Sequence, residues 1–278
     1  MLFDTHLHLI YLDRLTYPWL KDVPALDQQN ELESYTRIAR RLGISGCFNM
    51  EVDVTPDQIE RETDLMSELM ATPDSLLKGA ISSCRPEEST FAAQLERAES
   101  NPTIFGFRRV LHTMPDATSQ SKLFRDNIKK LSNTRFTFDL CVLPAQMHLA
   151  NALVDHCPDV KFILDHCGVP DIAGGDIENW AKGIDDFAKR PNVVAKISGV
   201  IAYADAQSWS LETIRPYVEH IAKAFGPDRL IWGSDSPVCN LGGGLETWVA
   251  TTHALTMDWS AEERAALYRD NAKRIWNL

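Results

Sequence analysis

No stretch of the 278-residue chain approaches the roughly 20 apolar residues of a membrane-spanning helix. The start, Met1-Leu2-Phe3-Asp4, also lacks the basic region and apolar run of a secretory leader. Both absences predict a cytoplasmic protein with no membrane partner. Runs of Lys or Arg are missing too, and the formal net charge of -11 repels phosphate backbones, so nucleic acid is excluded as a partner. The cysteines Cys47, Cys84, Cys141, Cys157, Cys167 and Cys239 form no Cys-x-x-Cys pair. Several lie in apolar runs, where a thiol behaves as a small hydrophobe, and they read as reduced core residues. No Gly-x-Gly-x-x-Gly turn follows the first apolar run, which leaves a dinucleotide fold unsupported. Internal repeats, low-complexity tracts and linkers are absent as well.

What is present alternates. Short apolar or β-branched runs predict strands at Leu2–His8, Ser45–Glu51, Leu77–Ser82, Ile104–Leu111, Thr137–Val142, Lys161–Leu164, Val193–Ser198 and Leu230–Gly233. Helical periodicity fills the intervals at Glu31–Leu42, Pro56–Ala71, Glu88–Glu99, Ser119–Leu131, Pro144–His156, Ile177–Lys189, Ser208–Phe225 and Leu245–Thr256, with a last helix at Ala261–Trp276. Thr55 before Pro56 and the Ser260-Ala261-Glu262-Glu263 box predict helix starts. Gly43 and Gly226 fall where helices end. Eight strands with intervening helices predict an α/β fold, a closed (β/α)8 TIM barrel forming one domain over residues 1–278. The long segment Tyr11–Gln29 then lies over the barrel mouth.

The C-terminal strand ends are where such a barrel carries chemistry. His6 and His8, one residue apart, project to one face there and could share a metal ion or form a structural hydrogen-bonded pair. Asp165 and His166 directly follow an apolar strand, and His166 could bind metal, donate to a carbonyl or shuttle a proton. Asp235 leaves the last strand in Gly233-Ser234-Asp235-Ser236-Pro237, as an acid at the mouth or as a turn cap. Arg108 and Arg109 share an apolar strand, so alternation sends one inward, where it needs a carboxylate or an anionic ligand. Glu51 is a candidate partner for Arg108. Lys196 sits in a β-branched run, facing either the barrel or the helices. Trp19, in the long loop, could stack on a sugar ring or anchor the loop.

Taken together, Asp4-Thr5-His6-Leu7-His8, Gly106-Phe107-Arg108, Asp165-His166-Cys167-Gly168, Lys196-Ile197-Ser198-Gly199 and Gly233-Ser234-Asp235-Ser236-Pro237 resemble the amidohydrolase-related family. The terminal Asn271-Ala272-Lys273-Arg274-Ile275-Trp276 extends the likeness over nearly the whole chain. The Asp-His-x-Gly and Lys-x-Ser-Gly forms look most like its sugar-acid lactonase branch. That resemblance implies a hydrolase opening a small lactone. The constellation of residues at the mouth then makes Asp235, His166, His6 and His8 the expected catalytic groups and Arg108, Lys196, Trp19 and Glu51 the expected substrate-binding ones. Related decarboxylases hold one zinc on first-strand histidines, a fifth-strand histidine and the last-strand aspartate. Here the fifth strand reads Phe138-Asp139-Leu140-Cys141-Val142, with no histidine. Two cofactor states follow: none required, or one divalent ion, zinc foremost, on His6, His8 and Asp235, which His166 could join. The alternatives are a zinc-dependent decarboxylase of the same family and a non-catalytic barrel that binds a small molecule.

Overall fold

The computed structural model describes residues 1–278. Its strands are β1 (Leu2–Leu7), β2 (Ile44–Met50), β3 (Leu77–Ser83), β4 (Ile104–Val110), β5 (Thr137–Cys141), β6 (Lys161–Leu164), β7 (Val193–Ser198) and β8 (Leu230–Gly233). All neighbours pair in parallel, in chain order. Backbone bonds just past β8 close the ring: Asp235 N–H donates to His6 O and His8 N–H to Ser236 O, each at 2.8 Å. The expected (β/α)8 barrel is thus formed. The helices are α1 (Leu32–Arg41), α2 (Ile59–Met70), α3 (Phe91–Glu99), α4 (Ala117–Gln120), α5 (Lys122–Lys129), α6 (Met147–His156), α7 (Ile177–Phe187), α8 (Leu211–Phe225), α9 (Leu245–Leu255), α10 (Ala261–Ala265) and α11 (Asn271–Trp276).

Several expected helices begin or break differently. The one expected over Ser119–Leu131 is split into α4 and α5, because Ser121 turns extended and its Oγ accepts from Phe124 N–H to start a new helix. The expected Pro56 start is a short 3-10 turn, Pro56–Gln58, and Thr55 supplies no side-chain cap. The Ser260–Glu263 capping box is formed as expected. Gly43 and Gly226 have φ of 78° and 72°, in the left-handed region where a side chain is penalised. Between α10 and α11 the chain keeps winding through a π turn, Ala266–Asp270.

Two apolar layers hold the barrel. One lies between strands and helices, with Trp180, Trp248, Phe124 and Phe138 buried in it. The other fills the lower barrel interior, where Phe3, Phe48, Ile81, Ile163 and Ile231 meet Trp276 of α11. Trp276 packs edge-on against Phe48, and its Nε1–H donates to Thr137 Oγ1 at 3.3 Å. The bottom is therefore plugged, and polar interior residues are left to the upper half.

Candidate active site

Strand alternation sets the floor of the mouth. On β7, Lys196 and Ser198 point inward; on β5, Asp139 and Cys141 do so; on β4, Arg108 does. Arg109 faces the other way and pairs with Glu87, Nε to Oε1 at 2.9 Å. Arg108 is bound by Glu51: Nε donates to Oε1 at 2.6 Å and Nη2 to the Glu51 carbonyl at 2.8 Å. Lys196 is fully buried, with Nζ 2.7 Å from Asp139 Oδ2 and 2.9 Å from Asp165 Oδ1. The sequence brought these groups to the same level and offered Glu51 as the partner of Arg108. Glu51 and Lys196, also expected to bind substrate, lie beneath the cavity in buried ion pairs and are not among its lining residues.

Burial alone would neutralise such carboxylates. Asp139 is pushed up to about 7 by desolvation despite Lys196. Burial also pushes Asp165 up, but Lys196 and His6 outweigh it and hold its carboxyl well below the usual range. Asp165 is thus the acid that keeps its charge under the histidines. Burial also raises the cost of charging His6, and the Lys196 cation adds to it, so His6 stays neutral well below its ordinary range. His166 is shifted down by burial as well.

Above this layer, His6, His8, His166 and Asp235 converge. The Nε2 atoms of His6 and His8 are 3.2 Å apart. Asp235 Oδ1 is 3.8 Å from His6 Nε2 and 3.5 Å from His8 Nε2, while Oδ2 is 3.5 Å from His166 Nδ1. That Oδ2 is buried without a hydrogen-bond partner. Asp235 has φ 57° and His166 φ 50°, left-handed conformations that cost non-glycine residues about 1–3 kcal/mol and cluster at functional sites. Gly199, at φ 55°, makes the approach possible, since a Cβ there would collide with the Asp235 carboxylate.

A cavity of about 490 Å³ opens above these groups. His8, Arg108, His166 and Asp235 reach it, and Trp19 closes one side. Trp19 is also a loop anchor, donating from Nε1 to Val52 O at 2.8 Å. The predicted covering loop is confirmed: Ile10 and Asn30 bridge its base, and Asp22, Val23 and Leu26 line the cavity from it. Among the wall residues not singled out from sequence are four that can titrate, Asp53, His112, Cys141 and Tyr203. Cys141 Sγ lies 3.1 Å from His112 Nδ1; burial raises the thiol and pushes His112 down to about 4, so the pair is neutral. Three of the four come from turns that carry no periodic signal. Cys141 could have been found by its inward position on β5.

The histidines and Asp235 fit a metal ion. A tetrahedral zinc with bonds of about 2.0–2.1 Å spaces its ligand atoms roughly 3.3 Å apart. The separations among His6 Nε2, His8 Nε2 and Asp235 Oδ1 are 3.2, 3.5 and 3.8 Å. His8 Nδ1 is 3.1 Å from Met50 O, and a proton there leaves Nε2 a lone pair. Asp165 Oδ1, 3.4 Å from His6 Nδ1, can do the same for His6. His166 does not complete this trio, because its Nδ1 lies 2.9 Å from Ser198 Oγ, on the other oxygen of Asp235.

A plugged barrel with converging histidines and an aspartate under an open mouth has the form of a barrel enzyme. The amidohydrolase family model matches residues 3–278, and the chain belongs to that family. An uncharacterised protein of Sinorhizobium fredii is 26% identical over 99% of this chain and 98% of its own length. L-fucono-1,5-lactonase of Burkholderia ambifaria is 30% identical over 54% of this chain, a span covering 52% of that protein. A zinc-bound amidohydrolase of Burkholderia multivorans superposes with a TM-score of 0.89 at 22% identity, over 100% of this chain and 99% of that one. This likeness establishes a shared fold.

Proposed function

We propose that the protein hydrolyses a small lactone, a sugar-acid lactone in particular, to its hydroxy acid. The observation that carries this reading is Asp235: a carboxylate with one buried oxygen free of partners, set among three histidines at the cavity floor. The similarity to a sugar lactonase supports the substrate class.

Asp235 takes a proton from water as its oxygen forms a bond to the lactone carbonyl carbon. Asp235 passes that proton to the neutral His166, whose Nδ1 lies 3.5 Å from Oδ2, and the resulting imidazolium gives a proton to the ring oxygen as the ester C–O bond breaks. Arg108 reaches the cavity and stabilises negative charge on the carbonyl oxygen. Lys196 and Glu51 act from beneath: Lys196 fixes Asp165, whose carboxylate in turn fixes the His6 ring, and Glu51 fixes Arg108. A divalent ion, zinc foremost, would be held by His6, His8 and Asp235, and when bound would acidify water and polarise the carbonyl. Six buried free thiols support a reducing compartment, the cytoplasm.

A pH-indicator assay over a panel of sugar lactones, with and without chelator, tests the reading and the metal requirement together. Acid release from at least one lactone is expected, and Asp235→Asn should lose at least about a hundredfold in turnover. Near-wild-type turnover in that variant would remove Asp235 as the base. If no lactone releases acid and the protein retains tightly bound zinc, the decarboxylase alternative takes its place.

A further inference from the structure

Asp53 stands on the cavity wall, two residues beyond Glu51, with φ 46°. A non-glycine residue keeps such a backbone only where its surroundings hold it. Here its N–H donates to Glu51 Oε2 at 2.8 Å, the other oxygen of the carboxylate that binds Arg108. Its Oδ1 accepts from Arg85 Nη2 at 3.2 Å. Arg85 is in turn fixed by Nη1 bonds of 2.9 Å to Ser83 Oγ and to Cys84 O. Oδ2 has no protein partner, and the side chain is 34% exposed. Burial and the neighbouring Glu51 push this carboxyl up from its ordinary value against the pull of Arg85, and the acceptor is held at the wall by one oxygen with the other available.

The charges around it are unequal. Asp22, Asp53 and Asp235 line the cavity against one cation, Arg108. Glu51 binds that cation through Nε and Nη2, and Asp165 lies 3.6 Å from its Nη1. Arg85 is engaged by Asp53, Arg109 by Glu87, and Lys196 by Asp139 and Asp165. Each of these arginines and the lysine is thus already held by a carboxylate, and none of them is left unpaired to receive an acidic substituent. A divalent ion at the floor would offset this excess of negative charge without giving the upper wall a cation.

We propose that Asp53 is a specificity-determining residue: Oδ2 accepts a hydrogen bond from a hydroxyl of a neutral, polyhydroxylated lactone, and its charge turns away lactones that carry a carboxylate. The assignment rests on the lactone reading for the ring and deepens it by naming the substituents. Hydroxyls donate well to a carboxylate, and a bond to a charged acceptor contributes about 1.5–3 kcal/mol. A second carboxylate at the same wall meets repulsion in a partly desolvated site.

Lactams, the amide counterparts of lactones, resist hydrolysis and allow binding to be read apart from turnover. Calorimetric titration of the full-length protein compares a polyhydroxylated aldonolactam, δ-valerolactam and a carboxylate-bearing lactam. Wild type is expected to bind the hydroxylated ring at least about tenfold more tightly than either other ring. Asp53→Ala should shrink its advantage over valerolactam to under about threefold. Asp53→Asn suits the left-handed backbone and keeps an acceptor, so it guards against misfolding; it should narrow only the gap to the carboxylate-bearing ring. An advantage that survives Asp53→Ala, or an acidic ring bound as tightly as the hydroxylated one by wild type, overturns the assignment. Binding preferences as expected but with no lactone hydrolysed would sink the hydrolase reading and leave Asp53 as the recognition residue. Lactone turnover without an Asp53-dependent preference would do the reverse.

Discussion

At the scale of single residues, the layer beneath the cavity matters more than its size suggests. Lys196 is the one cation paired with two buried acids, Asp139 and Asp165, in a space with no access to water. Lys196→Met removes the cation and leaves Asp139 and Asp165 facing each other. Breaking a buried pair in this way costs roughly 3–5 kcal/mol, which denaturant unfolding would register as a lowered midpoint. Lys196→Met with Asp139→Asn should recover part of that loss, because one buried charge is removed with its partner. No recovery would mean that Asp139 is not the carboxylate that Lys196 serves. The sequence held the signal for this network. An acid inside Phe138-Asp139-Leu140 calls for a cation by the same desolvation argument that brings Arg108 to a carboxylate, but fifth-strand reading for a missing histidine passes over it. Arg108 with Glu51, and the convergence of His6, His8, His166 and Asp235, were legible because strand ends of a barrel meet at one mouth.

Among the elements, α2 carries a titratable group against the end of β2. Glu62 Oε1 accepts from Val52 N–H at 2.9 Å, and Oε2 is buried without a partner. Burial, reinforced by the nearby charge of Glu51, pushes its carboxyl up to about 8. The folded protein therefore holds this proton where the unfolded chain, with an ordinary value near 4.5, has released it. The stability from this group is fully present below pH about 4.5 and is lost as pH rises towards about 8. Glu62→Gln keeps the acceptor for Val52 and cannot ionise. Its melting temperature relative to wild type should thus rise from pH 5 to pH 8, by an amount that differential scanning calorimetry resolves. A difference that stays constant over that range would mean that Glu62 is ionised in the folded protein. Elements were otherwise readable to within a residue or two for strands, whose apolar runs stop where the ladder stops. Helix breaks were harder: Ser121 can continue a helix or cap the next one, and tertiary packing decides.

For the whole molecule, the barrel separates stability from chemistry by height. Trp276 plugs the lower interior and is 4% exposed, with Phe48 and Thr137 as its contacts. Trp276→Ala opens a void in that layer and should cost roughly 3–5 kcal/mol, measured by thermal or denaturant unfolding. Lactone turnover per folded molecule should be kept at a temperature well below the midpoint, since the cavity lies at the opposite end. A loss of turnover equal to that of Asp235→Asn would show that the two ends are coupled. The barrel itself was legible from eight alternating units, whereas the cavity wall was not. Asp53, His112 and Tyr203 reach it from turns after three different strands, and only the closed ring brings those turns together.

The C-terminal plug has one more consequence. Because β1 begins at Leu2 and α11 ends at Trp276, both chain ends emerge beneath the barrel, with Met1 79% and Leu278 42% exposed. A bead or surface coupled through either terminus would hold the molecule by its base. Every immobilised copy would then present its mouth to the flowing solution.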